Sequence, residues 1–279
     1  MIAPEPIVMG VLNVTPDSFS DAGRHLDHDA AVEHGRRLVA DGAGIVDVGG
    51  ESTRPGAEAV SAAEELERTI PVVERLAAGR DTGPAGVRVS IDTTKADVAA
   101  AALSAGARIV NDVSGFRFAP EIAGLVAGAG ATCVLMHMRG DPQTMQDDPR
   151  YDDVVSEVKH HLEERLAFAV AEGVPEDHVW LDPGIGFGKT VDHNLELLAR
   201  LNELVAIGRP LVVGTSRKSL LGRLTGRRAD SRLPGTIATN VLALAAGAHV
   251  FRVHDVAEVA DALTVARAVL AGQGPPGEG

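Results

Sequence analysis

One pattern constrains this 279-residue chain more than any other: eight short apolar runs, each closing on polar or glycine-rich residues. They read "IVMGVLNVT", "GIVDVGGEST", "VRVSIDTT", "RIVNDVSG", "TCVLMHMRG", "HVWLDPGIGFG", "LVVGTSRK" and "HVFRVHDV". Near-continuous apolar runs of this length suit parallel strands buried on both faces, whereas half-exposed strands alternate. Helical periods fill the gaps. Ser61 and Glu64 read as a capping box ahead of a stripe at Leu66, Ile70, Val73 and Ala77, and Val158, Leu162, Leu166 and Ala169 repeat the pattern. Glycines at Gly42–Gly44, Gly106 and Gly247 stand where helices should end and strands begin. Eight strands alternating with helices predict an α/β fold, a single-domain (β/α)8 TIM barrel over residues 1–272, with a doubly wound open sheet as the competitor. The tail "GQGPPGEG" carries too little apolar side chain to pack, and 273–279 are expected to be disordered.

Composition narrows the function classes. Hydrophobic residues make up 45% of the chain but aromatics only 3%, so the core must be built from Ala, Val, Leu and Ile. A formal net charge of −13 argues against nucleic acid and anionic membranes as partners, and any anionic ligand would need a local basic pocket. The single cysteine, Cys133, has no partner for a disulfide and sits in an apolar run, which predicts a reduced core thiol. The start "MIAPEPIVMG" lacks the basic and apolar regions of a signal peptide, and no apolar run reaches the roughly 18–20 residues of a membrane helix. A cytoplasmic, soluble protein is expected.

In such barrels the site lies at the C-terminal ends of the strands. The residues closing the runs should therefore converge: Asn13, Thr53, Arg54, Asp92, Asn111, Met136, His137, Asp182, Ser216 to Lys218, Arg252 and His254. Asp92 and Asp182 follow apolar residues directly. Either could cap a helix or pair with Lys218; together, beside Asn111, they suit a flat nitrogen-rich ring, because a carboxylate accepts two parallel N–H bonds. Arg54, Lys218, Arg252 and His254 close strands two, seven and eight, where barrels commonly hold phosphate. "GIGFGKT" fails as a phosphate loop because Pro183 stands where a glycine is required, and it lacks the context of a dinucleotide fingerprint. The histidines show no metal-ligand spacing, although Mg²⁺ could bind through one protein oxygen and a diphosphate.

Taken in order, "MGVLNVTPDSFSD", "GGESTRPGA", "IDT", "NDVSG", "MHMRG", "DPGIGFGK", "GTSRK" and "RVHDV" closely resemble the dihydropteroate synthase family of folate-pathway enzymes, from about residue 7 to 272. The resemblance implies a transferase that condenses 6-hydroxymethyl-7,8-dihydropterin diphosphate with 4-aminobenzoate, a sulfonamide target, and a homodimer. It also implies roles. Asp92, Asn111, Asp182 and Lys218 would hold the pterin, with Met136, Phe187 and Gly214 lining its slot. Asn13 would bind Mg²⁺, while Thr53, Arg54, Arg252 and His254 hold the diphosphate. Phe19, Pro55, Phe187 and Ser219 would frame the aminobenzoate. The chemistry itself would fall to Asp92, Lys218, Arg252 and His254. Two rivals share the fold: a methyltetrahydrofolate-binding methyl-transfer barrel and a non-catalytic pterin-binding paralogue.

Overall fold

The computed structural model describes residues 5–15, 28–52, 59–79, 87–141 and 144–272. Eight parallel strands form one sheet: β1 Ile7–Asn13, β2 Ile45–Gly49, β3 Arg88–Asp92, β4 Ile109–Asp112, β5 Thr132–Met136, β6 Val179–Asp182, β7 Val212–Val213 and β8 Val250–Val253. Each strand neighbours its successor except between β6 and β7, β8 pairs with β1, and a parallel bridge between Leu181 and Leu211 closes the remaining gap. The sheet is thus a closed barrel, and the open doubly wound alternative is excluded.

Ten α-helices among the described residues surround it: α1 His28–Ala40, α2 Ala62–Ala78, α3 Ala96–Ser104, α4 Ile122–Ala129, α5 Val154–Ala171, α6 Val191–Ala199, α7 Leu201–Val205, α8 Ser219–Thr225, α9 Leu233–Ala245 and α10 Val256–Ala271. No helix of the described residues is long and apolar enough to cross a membrane. The expected stripe on α5 holds at Val158, Leu162 and Ala169, with Leu166 partly buried. On α2 it is displaced. The buried face there is Glu65, Arg68, Thr69, Val72, Val73 and Leu76, while Ala77 is exposed. Apolar periodicity missed this because the face includes buried polar groups with partners: Lys95 bonds Glu65, and Arg68 donates to the Gly50 carbonyl at 2.7 Å. The capping box is also only half formed. Ser61 Oγ accepts from the Glu64 N–H at 3.2 Å, but the Glu64 carboxylate turns to Arg68 instead. Gly42, Gly106 and Gly247 do adopt positive φ, between 100° and 108°.

The barrel interior is layered. Met9, Ile45, Ile109, Val134, Trp180, Val212 and Val250 form a separate buried apolar cluster, a plug with Arg88 stacked over Trp180 at 5.3 Å. Side chains alternate along a strand, so the residue two positions on faces the same way. Two residues beyond the plug stand Asp47, Asn111, Met136, Asp182, Gly214 and Arg252. The floor of the mouth is thereby charged, and it rests on a dry base. Cys133 lies on the opposite face of β5, packed against the helices, and burial pushes its thiol up to about 12.

Candidate active site

The registers of β1 to β4 bring Asn13, Gly49, Asp92 and Asn111 into one row. Gly49 keeps the row open: a Cβ there would lie 3.9 Å from Asn13 Oδ1 and 3.8 Å from Asp92 Oδ2. Across the barrel, Arg252 on β8 spans two carboxylates. Its Nη2 donates to Asp92 Oδ2 at 2.6 Å and its Nε to Asp47 Oδ2 at 2.7 Å. Asn111 Nδ2 donates to the same Asp47 oxygen at 3.1 Å. Burial drives the Asp92 pKa up to about 7; the Arg252 charge opposes this, and the nearby Asp47, Glu65 and Asp112 carboxylates add to it. Arg252 is held in its charged form. Burial disfavours its charge, but Asp47 and Asp92 outweigh that and raise its pKa.

The second half of the site comes from the loops after β6 and β7. Asp182 is buried, and one of its oxygens accepts the Gly184 N–H at 2.7 Å. Burial raises its pKa, with Lys218 pulling against the rise. The Lys218 ammonium bonds the Ile185 carbonyl and lies 4.7 Å from the centre of the Phe187 ring. Burial lowers it to about 8, opposed by the nearby Asp182 charge. Gly214 opens the space between: a Cβ there would sit 3.8 Å from both Lys218 Nζ and Arg252 Cβ. Met136 packs with Val113, Met138 and Met145, and Phe187 lies against that cluster, which makes one side of the mouth apolar.

The turn into α8 is fixed from outside. Arg217 takes φ 58°, its N–H donates to Thr236 Oγ1 at 3.2 Å, and its guanidinium pairs with Asp255. With Arg217 held outward, Lys218 points inward. Ser219 opens α8 and is exposed beside Lys218. Next to them, Ser216 Oγ accepts the His254 backbone N–H at 3.2 Å and lies 3.0 Å from its Nδ1. Ser216 Oγ thereby fixes the orientation of the imidazole ring and turns its Nε2 edge away from the serine.

His137 departs from the expectation that it joins the mouth. It is buried, and its Nδ1 lies 2.9 Å from Lys189 Nζ. Lys189 also donates to the carbonyls of Gly184 at 2.9 Å and Phe187 at 3.0 Å. Burial, followed by the Lys189 charge, keeps His137 far below the usual imidazole range, which suits an acceptor nitrogen. The loop after β6 is thereby tied to the loop after β5, so closely that a Cβ on Gly184, at φ 65°, would meet the His137 carbonyl at 1.9 Å. Asp112, adjacent to Asn111, faces outward and accepts from the N–H groups of Ser114 and Phe116.

Asp92, Asn111, Met136, Asp182, Phe187, Gly214, Lys218, Arg252 and Asn13 are therefore brought to one mouth of the barrel, with His254 and Ser219 beside them. Phe19, Thr53, Arg54 and Pro55 lie outside the described residues. Sequence reasoning missed Asp47 and Lys189 as parts of the site, and it placed Ser216 at the mouth without its contact to His254. Asp47 left a readable signal: a lone acid inside a strand buried on both faces demands a partner.

A closed barrel whose mouth joins buried carboxylates, a half-buried lysine, an arginine and a histidine defines an enzyme site for a polar flat ring beside an anion. The chain belongs to the pterin binding enzyme family, whose profile matches residues 9–254. Among its relatives is the dihydropteroate synthase of Mycobacterium leprae, 52% identical over 94% of this chain and 93% of that protein. The dihydropteroate synthase of Escherichia coli K12 is 47% identical over 95% and 92%. Among solved structures, a Xanthomonas albilineans dihydropteroate synthase holding 4-aminobenzoic acid superposes with TM-score 0.88 at 48% identity, covering 96% of this chain and 94% of that one. A Yersinia pestis dihydropteroate synthase in a sulfonamide drug complex gives TM-score 0.89 at 43% identity, covering 96% and 95%.

Proposed function

We infer that this chain condenses 6-hydroxymethyl-7,8-dihydropterin diphosphate with 4-aminobenzoate, giving 7,8-dihydropteroate and diphosphate in folate synthesis. The observation that carries this reading is the identity of about half, over nearly the full length of both chains, to dihydropteroate synthases. The site chemistry agrees. Asp92, Asn111 and Asp182 would bind the ring's N–H edge, and Lys218 would donate to a ring acceptor while stacking with Phe187. Arg252 and the imidazole of His254 would stabilise negative charge on the departing diphosphate, joined by Thr53 and Arg54. The C–O bond would break as that charge is neutralised, and the carboxylate of Asp92 would stabilise the cationic pterin methylene. The arylamine attacks as a neutral nucleophile, so no strong general base is required. Placement and electrostatics would then supply most of the rate. Phe19, Pro55, Phe187 and Ser219 would frame 4-aminobenzoate, and a sulfonamide should compete with it there.

A magnesium ion fits the residues present. Asn13 Oδ1 is a hard amide oxygen beside the Asp92 carboxylate, and Mg²⁺ commonly takes one or two protein oxygens with substrate phosphates completing its shell. When bound it would offset diphosphate charge. A homodimer is supported by the exposed apolar face that α9 and α10 share, where Leu242, Val265, Val269 and Leu270 are 44–75% exposed. Residues 1–272 would act as one barrel domain, in the cytoplasm; the expectation for 273–279 lies outside the described residues.

Incubating the purified protein with the pterin diphosphate and Mg²⁺, with and without 4-aminobenzoate, tests the reading. Dihydropteroate and diphosphate should appear in equal amounts, and only when both substrates are present. Pterin binding without either product would make the chain a pterin-binding paralogue. Binding of methyltetrahydrofolate in preference to the pterin diphosphate would make it a methyl-transfer barrel.

A further inference from the structure

The floor of the mouth holds one carboxylate that the proposed reaction does not use. Asp47 is central in β2, fully buried, and on the inward face two residues beyond the plug residue Ile45. Its Oδ2 accepts from both Asn111 Nδ2 and Arg252 Nε, while its Oδ1 has no hydrogen-bond partner among the described residues. A buried acid that merely supported the fold would be expected to satisfy both oxygens. This one spends its contacts on two residues of the site.

Both contacts restrict a choice. A primary amide can turn over, exchanging its oxygen for its NH₂ group, and only its neighbours decide which end faces where. Turned over, Asn111 would set its Oδ1 against the Asp47 carboxylate, replacing a hydrogen bond with acceptor–acceptor repulsion. Asp47 thereby commits the NH₂ end downward and leaves Oδ1 for the mouth. Arg252 is a rigid planar fork. With Nε on Asp47 and Nη2 on Asp92, its plane is fixed, and the Nη1 end is the part that neither acid holds.

We propose that Asp47 is a positioning residue for the pterin end of the reaction: it orients Asn111 so that its carbonyl oxygen joins Asp92 and Asp182 in an all-acceptor floor, and it sets the plane of Arg252 against Asp92. The inference rests on the function proposed above. It explains how a floor of two acids and one amide selects a ring edge rich in N–H donors. Without Asp47, Asn111 can offer a donor where the ring also offers one.

The test measures calorimetric binding of 6-hydroxymethylpterin, which lacks the phosphates that Arg252 would meet. Wild type, Asp47→Ala, Asn111→Ala and the double variant are compared, each checked for its fold by circular dichroism. Asp47→Ala should raise the Kd by about tenfold, the scale of one mis-set buried hydrogen bond. Placed on Asn111→Ala, the same change should raise it by less than about threefold, because residues acting through one contact do not add. Asp47→Asn, close in shape, covers the case in which the alanine variant does not fold. It should still weaken binding by about threefold, since an amide at 47 no longer dictates which way Asn111 faces. Folded variants whose pterin affinity and KM match wild type, or effects that multiply fully in the double variant, would overturn the role of Asp47. A wild-type protein that binds no pterin would overturn instead the function on which the inference rests.

Discussion

The lower and upper halves of the barrel interior are made by the same strands, two residues apart, yet they are opposites. Below, Ile45, Ile109, Trp180 and Val250 belong to a dry apolar plug. Above, on the same faces of the same strands, stand Asp47, Asn111, Asp182 and Arg252. The lower half can be understood as packing alone. The upper half makes sense only as a set: Arg252 holds both Asp47 and Asp92, although Asp47 and Arg252 are 205 residues apart. The difference teaches why the plug matters to chemistry. By excluding water from beneath the floor it raises the cost of unpaired charge, which shifts Asp92 and Asp182 upward and Lys218 downward, and it strengthens every charged contact a ligand makes.

The two halves should separate under mutation. Trp180→Ala removes the largest side chain of the plug and should cost about 3–5 kcal/mol of stability, measured by denaturant unfolding. Pterin affinity of the folded fraction should change little. A folded variant that had lost the pterin would show that plug and floor are one unit.

Asp182→Ala is the converse. It should cost about 2–5 kcal/mol in pterin binding by calorimetry, with the fold kept, because it strips one partner from a desolvated contact and leaves Lys218 unbalanced. Near-wild-type affinity would reduce Asp182 to the acceptor of the Gly184 N–H.

Arg252→Ala should slow turnover by roughly 10²–10³ through lost stabilisation of the leaving charge. Binding of a pterin without phosphate should suffer less. Equal losses for both would mean that Arg252 serves the pterin rather than the diphosphate.

The smallest effect is the most diagnostic of a dry floor. In the free protein Asp92 takes up a proton as pH falls through about 7, and Lys218 loses one as pH rises through about 8. Pterin affinity should therefore rise with pH toward 7 and fall above 8, and Asp92→Asn should weaken the acidic limb, leaving the part that Asp182 contributes. A flat profile from about pH 6 to 9 would mean that water reaches both groups and restores their ordinary pKa values.

Much of this was legible in the chain itself. Eight apolar runs dictated eight buried parallel strands, because only a strand covered on both faces tolerates such continuity. The polar residues ending those runs, Asn13, Asp92, Asn111, Asp182, Lys218 and Arg252, follow from the rule that a barrel's chemistry lies at its C-terminal mouth. Closure of the barrel was a tertiary decision, made by the pairing of β8 with β1 and the Leu181–Leu211 bridge. So were the roles of residues whose meaning lies in what faces them. Asp112 and Asn111 are adjacent at one strand end, yet strand alternation sends one to hold a loop and the other to the floor. His137 looked like a mouth residue and is a brace, because Lys189 reaches it from another loop. Local patterns determine which residues are buried; only the assembled barrel decides which buried charges meet, since Coulomb and hydrogen-bond energies depend on distances that sequence separation does not set.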